Sequence, residues 1–149
     1  MNLCASTVGF IRKRDDGLIF IEIEPQYWEA TLQVDQFSHI IVLWWITGHD
    51  NPTSRANLQD YPPQEAAKLS GVFASRSPAR PTPIGLSIVA IQRIDEETHR
   101  IYIDQIDAHD ATPVVDIKPY MPFSDKVDVA KVPIWFRDNV SRYTSHPFQ

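Results

Sequence analysis

The alternation of apolar and polar residues along the chain predicts a series of short strands. Residues 7–12 and 18–24 flank the turn signal Asp15-Asp16-Gly17, and together they predict a β-hairpin. Residues 37–46 form a nearly continuous β-branched and aromatic run, which is typical of a strand buried on both faces. Three further strands are predicted, over residues 72–75, 86–94 and 100–106, with a hairpin turn at residues 96–99.

Helical structure is predicted only in short pieces. Residues 25–32 favour a helical turn, and residues 133–143 favour a C-terminal helix with Pro133 at its first position. The polar connection over residues 47–69 holds three prolines, and long connections of this kind tend to be functional or mobile. The sum is a mostly β protein, one domain over residues 1–149, folded as an antiparallel β-barrel with short helical segments.

One short stretch, residues 71–87, combines two arginines, three prolines and two glycines between apolar segments. Proline fixes φ and removes an N–H donor, so this loop is expected to be stiff and to hold Arg76 and Arg80 in place. Arginine suits anions and also flat groups on which its guanidinium can stack. The same composition fits a loop that only turns a corner, but positioned loop residues favour a binding role.

A second dense segment, residues 107–120, packs ionisable side chains around two prolines. Turn chemistry accounts for Asp107 and Asp110. It does not account for Asp116 and Lys118, which follow an apolar pair, and ionisable clusters in clefts are often functional. We therefore expect a functional role for Asp116 and Lys118; the alternative is that Lys118 only neutralises Asp116.

Composition excludes several classes of protein. The formal net charge of −5 argues mildly against a nucleic-acid partner, although a local basic patch would suffice. The single cysteine, Cys4, excludes an internal disulfide and a multi-cysteine zinc site, and no two histidines have metal-ligand spacing, so no metal is expected. His39, inside the apolar run, is expected to be a structural core histidine. No apolar run is long enough for a membrane span, and a cytoplasmic location is expected.

The positions of the glycines exclude two common nucleotide-binding motifs. No Gly-x-Gly occurs, so the dinucleotide fingerprint and the P-loop are both absent. Ser75 and Ser77 lack the Gly-x-Ser-x-Gly context of a hydrolase nucleophile. A nucleotide-like cofactor would therefore have to bind on a different kind of fold.

Residues 71–87 and 107–120 together resemble the TsaA/TrmO family, whose members are also called VirR-like. The family pattern Gly-Val-Phe-Ala-Thr-Arg-Ser-Pro-x-Arg-Pro-Asn-Pro-Ile-Gly-Leu-Ser stands here with Ser75 and Thr82 as mild departures. The pattern Asp-x-x-Asp-Gly-Thr-Pro-Val-x-Asp-Ile-Lys-Pro-Tyr stands here with Ala111 where glycine is usual. Phe37-Ser38-His39 before the apolar run is a third match.

This resemblance implies a methyltransferase that uses S-adenosylmethionine on a β-barrel. Characterised members methylate N6 of threonylcarbamoyl-adenosine at position 37 of threonine tRNA, and they are homodimers with the cofactor near the subunit interface. By the same resemblance, a set of residues in three segments would hold the cofactor: Thr47, Gly48, Arg76, Leu86, Asp104, Gln105, Ile106 and Asp107. Members usually carry a Pro-Arg-Gln-like stretch after the first strand, where residues 12–18 here form a bare turn.

The chemistry of the implied reaction adds candidates for catalysis and substrate binding. The weakly nucleophilic N6 would gain from a group that accepts its proton, and Asp110, Asp116 and His109 are the candidates. Arg80 and Lys118 would hold a substrate carboxylate or phosphate, with Tyr120 beside them. Two alternatives stay open, methylation of a small molecule or another RNA, and a binding module without chemistry.

Overall fold

The computed structural model describes residues 3–136, which form one closed β-sheet with short helical connections. The strands are β1 (Gly9–Lys13), β2 (Ile19–Ile23), β3 (His39–Trp45), β4 (Gln59–Asp60), β5 (Ser70–Gly71), β6 (Ile84–Asp95), β7 (Arg100–Ile103) and β8 (Pro113–Pro119). Two short α-helices, α1 (Pro52–Arg55) and α2 (Pro122–Asp125), accompany them. The predicted mostly β composition with short helical segments is confirmed.

Six strands pair in the order β1-β2-β7-β6-β3-β8, and all of the pairings are antiparallel. β8 pairs with β1 through Gly9 and Val114, which closes the sheet into a barrel. The long β6 serves two partners, because its first half pairs with β3 and its second half with β7. β4 and β5 form a separate two-stranded sheet beside the barrel.

The core fills the inside of this sheet with β-branched side chains. Ile11, Ile21 and Ile101 are direct neighbours across β1, β2 and β7, and all three are fully buried. Side chains alternate between the two faces of a strand, so one face of each strand supplies the core. Ile40 and Val42 do the same on β3.

The hairpin predicted around residues 15–17 is present, and Gly17 has φ = 84°, which glycine adopts without steric cost. The turn at residues 96–99 and the helical turn after Pro25 are also confirmed. The prediction that residues 37–46 are buried on both faces is wrong. In β3 only Ile40 and Val42 are buried, because a closed sheet has a single inner face.

Three other expectations need correction. Residues 72–75, predicted as a strand, form a 3₁₀ turn over Val72–Ala74. Residues 113–119, interpreted only as a cluster of ionisable groups, form β8. His39 lies outside the core: it is partly exposed, its Nδ1 is 2.8 Å from Ser38 Oγ, and its ring meets the edge of Tyr120.

The helices within residues 3–136 are all short, and none has the length and apolar composition that crossing a bilayer requires. The C-terminal helix predicted over residues 133–143 falls mostly outside the described residues. Its described part is a 3₁₀ turn over Ile134–Phe136.

Candidate functional site

A cavity of about 580 Å³ opens where the proline-rich loop meets the end of the barrel. We call it the loop cavity, and its lining includes Trp44, Ile46, Phe73, Arg76, Arg80, Ile84, Leu86 and Asp107. These residues come from β3, β6, the loop between β5 and β6, and the segment after β7. The cavity therefore joins parts of the chain that lie far apart in sequence.

The loop between β5 and β6 is held by a guanidinium from within its own sequence. Arg80 Nη1 donates to the backbone oxygens of Ser75 and Ser77, at 3.3 and 3.2 Å. Prolines cannot donate hydrogen bonds, so the loop cannot stabilise itself by a backbone ladder. One guanidinium nitrogen that reaches two carbonyl oxygens stabilises the loop in place of that ladder.

Three side chains from the preceding connection tether the same loop from outside. Arg55 Nε donates to Pro81 O at 3.0 Å, and Asn57 Nδ2 donates to Ala79 O at 3.1 Å. Ser77 Oγ donates to Asp60 Oδ2 at 2.7 Å. The polar connection over residues 47–69, predicted to be functional or mobile, thus fixes the wall of the cavity.

Asp50 holds one of these tethers in place. Its carboxylate accepts a hydrogen bond from Trp45 Nε1 at 2.9 Å and forms an ion pair with Arg55 at 3.0 Å. The hydrogen bond from Trp45, followed by that from Arg55, lowers the pKa of Asp50 below its ordinary value. The carboxylate is therefore charged at neutral pH and orients Arg55 towards the loop.

Trp44 forms the side of the loop cavity that faces the barrel interior. Its Nε1 donates to the buried Ser87 Oγ at 3.1 Å, and its ring packs against the core. Gly85 lies directly opposite in β6, and a Cβ there would overlap the Trp44 ring. Sequence reasoning missed Trp44, which looked like one more apolar residue of β3; the glycine opposite it was the available signal.

Four of the predicted site residues line this cavity together: Arg76, Arg80, Leu86 and Asp107. Thr47 and Gly48 follow the lining residue Ile46 in a 3₁₀ turn at the rim. Within the described part of the chain, the exposed Arg76 has no hydrogen-bond or ion-pair partner. Its charge is available to a ligand, whereas Arg80 is engaged with the loop.

Of the four consecutive residues 104–107, only Asp107 lines the cavity. Asp104 Oδ1 accepts from the backbone N–H of Ala90 at 2.9 Å, which secures the end of β7 to β6. Ile106 is buried, and its backbone oxygen accepts from Lys13 Nζ at 2.8 Å. Asp104 and Ile106 hold the segment that presents Asp107, and Gln105 lies partly exposed between them.

His109 and Asp110 are exposed on the loop that continues from Asp107 towards β8. Asp110 Oδ1 accepts from the backbone N–H of Lys13 at 2.8 Å, so the carboxylate is used to fasten this loop to β1. Neither residue is among those that line the loop cavity. Both belong to the same segment as Asp107, which lines the loop cavity.

Asp116, Lys118 and Tyr120 do not line the loop cavity, so the structure does not bring them together with Arg76 and Asp107. Asp116 and Lys118 form an ion pair at 2.8 Å, and hydrogen bonding to the carboxylate raises the pKa of Lys118. The two lie on one face of β8 because they are two residues apart. The alternative that Lys118 neutralises Asp116 matches this geometry.

Tyr120 is placed by β3, since its backbone N–H donates to His39 O at 3.1 Å. β8 pairs with Trp44 through Val114 and with Ile40 through Pro119, so Tyr120 lies beyond the other end of β3. Asp116 borders a separate, mainly apolar cavity of about 240 Å³ with Tyr27 and Val34.

The bare turn after β1 is closed on itself. Arg14 forms an ion pair with Asp16 at 2.9 Å, and Gly17 N–H donates to Arg14 O at 3.0 Å. Among residues 3–136 no group of three His, Cys, Asp or Glu side chains is arranged to hold a metal ion.

Comparison with known proteins identifies the relatives of this chain. Residues 12–126 match the family model of the tRNA-methyltransferase O N-terminal domain. The chain belongs to this family. The resemblance expected from residues 71–87 and 107–120 is therefore confirmed.

Individual relatives agree with the family match. An S-adenosyl-L-methionine-binding protein from Archaeoglobus fulgidus is 39% identical over 113 residues, which cover 76% of each protein. A longer relative from the same archaeon, a probable S-adenosyl-L-methionine-binding protein, is 37% identical over 79% of this chain. The crystal structure of TrmO from Pseudomonas aeruginosa superposes with a TM-score of 0.67 at 28% identity and covers 90% of this chain. The chain spans 30% of that longer archaeal relative and 63% of the TrmO chain.

The family glycine that is replaced here by Ala111 has a structural explanation. Ala111 has φ = 61°, in the left-handed region where glycine is free of strain. Its N–H donates to Ile11 O at 2.8 Å, which fixes the loop between β7 and β8 against β1. This member of the family keeps the turn and accepts a Cβ in a strained position.

Proposed function

We propose that the protein is an S-adenosylmethionine-dependent methyltransferase that binds its cofactor in the loop cavity. The observation that carries the proposal is that Arg76, Leu86 and Asp107 line a single cavity although they come from three parts of the chain. Relatives named for binding S-adenosyl-L-methionine, and the methyltransferase family itself, support the same cofactor.

The chemistry of the lining fits the groups of this cofactor. Arg76 offers the carboxylate of the methionine moiety a guanidinium that is unpaired among residues 3–136. Ile84 and Leu86, which are 40% and 44% exposed, offer apolar surface for the adenine ring. The Trp44 ring lies at the inner wall, and aromatic faces attract cations such as a sulfonium.

Bound S-adenosylmethionine supplies an electrophilic methyl group, and the protein must hold an acceptor in line with it. We propose that His109 or Asp110 accepts the proton of the acceptor, because both follow Asp107 in one exposed loop. Asp116 is the weaker candidate, since it borders the separate cavity beside Tyr27 and its carboxylate is paired with Lys118.

We further propose N6 of threonylcarbamoyl-adenosine at position 37 of tRNA as the acceptor. The family name, tRNA-methyltransferase O, supports a tRNA acceptor. A homodimer is proposed with it, as the resemblance to the family implies, and the exposed Val127 and Val129 offer it apolar surface outside the loop cavity. Sedimentation should then show a dimer.

Calorimetric titration with S-adenosylmethionine and with S-adenosylhomocysteine tests the cofactor. Binding of both is expected, and failure to bind either one would leave the binding-module alternative in its place. Transfer of a labelled methyl group to threonine tRNA, with and without the threonylcarbamoyl group, then tests the acceptor. Transfer only to the modified tRNA is expected; cofactor binding without transfer to either would redirect the proposal to another acceptor.

A further inference from the structure

A second cavity, of about 850 Å³, borders the same proline-rich loop. We call it the flank cavity, and its lining includes Tyr61, Gln64, Phe73, Arg76, Val132 and Phe136. Four residues line both cavities: Phe73, Ser75, Arg76 and Pro78. The two cavities therefore adjoin along these four residues, which we call the shared wall.

We propose that the flank cavity is the subsite for the methyl acceptor, and that it takes a flat ring carrying an N–H donor, as nucleobases do. The inference rests on the proposed function, because it assigns the cofactor to the loop cavity. Methyl transfer requires the acceptor atom to approach the sulfonium methyl group closely. Of the cavities described above, the flank cavity is the one that shares Arg76 with the loop cavity.

Exposed aromatic rings give this cavity its affinity for flat groups. Phe73 is 87% exposed and Tyr61 is 66% exposed, and both line the cavity. Ring stacking on an exposed aromatic side chain favours nucleobases of any sequence, because every base presents a flat face. The lining prolines Pro62 and Pro63 add rigid apolar surface beside Tyr61.

Gln64 indicates which polar group the occupant carries. It lines the cavity, and its Oε1 is buried without a hydrogen-bond partner within residues 3–136. A buried acceptor without a donor is unfavourable, so a ligand N–H that meets this amide oxygen after a small rotation of the side chain would be favoured. A purely apolar ligand would leave Gln64 Oε1 without a hydrogen-bond donor.

The shared wall is fixed well enough to keep two ligands in register. Ser77 Oγ donates to Asp60 Oδ2 at 2.7 Å, and both residues line the flank cavity. Arg80 holds Ser75 and Ser77 by their backbone oxygens. The wall is therefore tied at both ends, and Arg76 projects from it with its charge free of partners in the described residues.

The test uses N6-threonylcarbamoyladenosine as a free nucleoside, titrated into protein saturated with S-adenosylhomocysteine and followed by ¹H–¹⁵N NMR. The Gln64 side-chain amide signal should shift. Gln64→Leu and Tyr61→Ala should each weaken nucleoside binding about tenfold. Both should leave S-adenosylhomocysteine affinity unchanged, because neither residue lines the loop cavity.

Matched controls separate this effect from general damage. Phe123→Ala removes an aromatic ring that is also 87% exposed, and Gln92→Leu removes an exposed amide; both lie outside the flank cavity and should bind like wild type. Gln64→Leu should melt no lower than wild type, since the lost Oε1 makes no hydrogen bond.

The outcomes distinguish the two proposals. Cofactor binding with equal nucleoside affinity in all variants overturns the subsite but leaves the proposed function standing. Failure of the cofactor to bind overturns the proposed function, and the titration without cofactor then decides the subsite by the same comparison of variants. A Tyr61→Ala variant that turns a dimer into a monomer, with no nucleoside binding in wild type, shows that a second copy covers the cavity and overturns the subsite.

Discussion

The ring of Trp44 occupies the space that any side chain at position 85 would need, so Gly85 and Trp44 are a matched pair across β3 and β6. The pair determines the shape of the loop cavity, because the same ring forms its inner wall. Its Nε1 is held by Ser87, which leaves the indole one orientation that satisfies both contacts.

Gly85→Ala should therefore push Trp44 out of position. We expect a loss of about 1–3 kcal/mol in the free energy of unfolding, as for other overpacked sites, together with weaker S-adenosylhomocysteine binding. Chemical denaturation and calorimetry measure the two effects. Gly71→Ala is the control, because the nearest atom to its Cβ would be Leu58 O at 3.8 Å. Wild-type cofactor affinity in Gly85→Ala would show that Trp44 is no part of the site.

Arg76→Ala should weaken cofactor binding by about 10- to 100-fold, which is the usual effect of losing a hydrogen bond to a charged group. The melting temperature should stay the same, since the Arg76 guanidinium makes no hydrogen bond or ion pair with other described residues. Arg14→Ala, which removes another exposed arginine, should bind normally. Unchanged cofactor affinity in Arg76→Ala would remove Arg76 from the site.

Arg80 should behave in the opposite way. Arg80→Ala leaves Ser75 O and Ser77 O without their donor, so we expect about 1–2 kcal/mol of destabilisation. Arg80→Lys should not restore it, because the lysine ammonium lies one bond closer to the backbone than Nη1, the nitrogen that makes both hydrogen bonds. Hydrogen exchange at residues 74–80 should accelerate in both variants. A fully stable Arg80→Ala with weakened tRNA binding would favour the substrate role expected from the sequence.

The bonds that Asp50 makes with Trp45 and Arg55 are expected to weaken at low pH. The pKa of Asp50 lies below its ordinary value of 3.8 in the folded protein, so its contribution to stability is complete above that value. As the pH falls through the lower folded-state pKa, the carboxylate protonates and its bonds to Trp45 and Arg55 weaken. An NMR titration of the Trp45 indole N–H should show this transition, and Asp50→Asn should abolish it. A transition that persists in Asp50→Asn would assign it to another carboxyl group.

Ala111→Gly should stabilise the protein by about 1 kcal/mol, because it relieves a left-handed backbone position. Ala56→Gly is the matched control: Ala56 has φ = −79°, so glycine offers no relief there and should destabilise slightly. Denaturant unfolding compares the two. A loss of stability in Ala111→Gly would mean that the extra conformational entropy of glycine in the unfolded chain outweighs the relief of backbone strain in the folded protein.

The sequence predicted the strands well where a local pattern specifies them. The hairpin of β1 and β2 follows from Gly17 and the flanking alternation, and β6 and β7 follow from their apolar runs. β8 was missed because Asp116 and Lys118 look like a site, although on a strand they simply share its outer face. Alternation alone did not reveal β8, because the pairing of β3 with β8 shifts register between Asp116 and Val114.

The candidate site was predicted only where motif residues contact it directly. Arg76, Leu86 and Asp107, which the motifs assign to a cofactor site, line the loop cavity together, and their role there stays a prediction. The roles of Trp44, Arg55 and Asn57 could not be predicted from the sequence, because each depends on a contact with a residue far along the chain. Arg76 and Arg80 look equivalent in sequence. The structure distinguishes them, because Arg80 donates hydrogen bonds to backbone oxygens of the loop and Arg76 makes none with the described residues.

The proline-rich loop depends on side chains that lie 20 or more positions upstream in the sequence. This dependence determines the shortest segment that could be transferred to another protein with the loop geometry intact. Arg55 binds Pro81 O and Asn57 binds Ala79 O, so the loop geometry is encoded partly outside residues 71–87. A chimaera that receives only the motif would carry its arginines without the scaffold that aims them. Grafting residues 50–87 together would transfer the scaffold with the arginines.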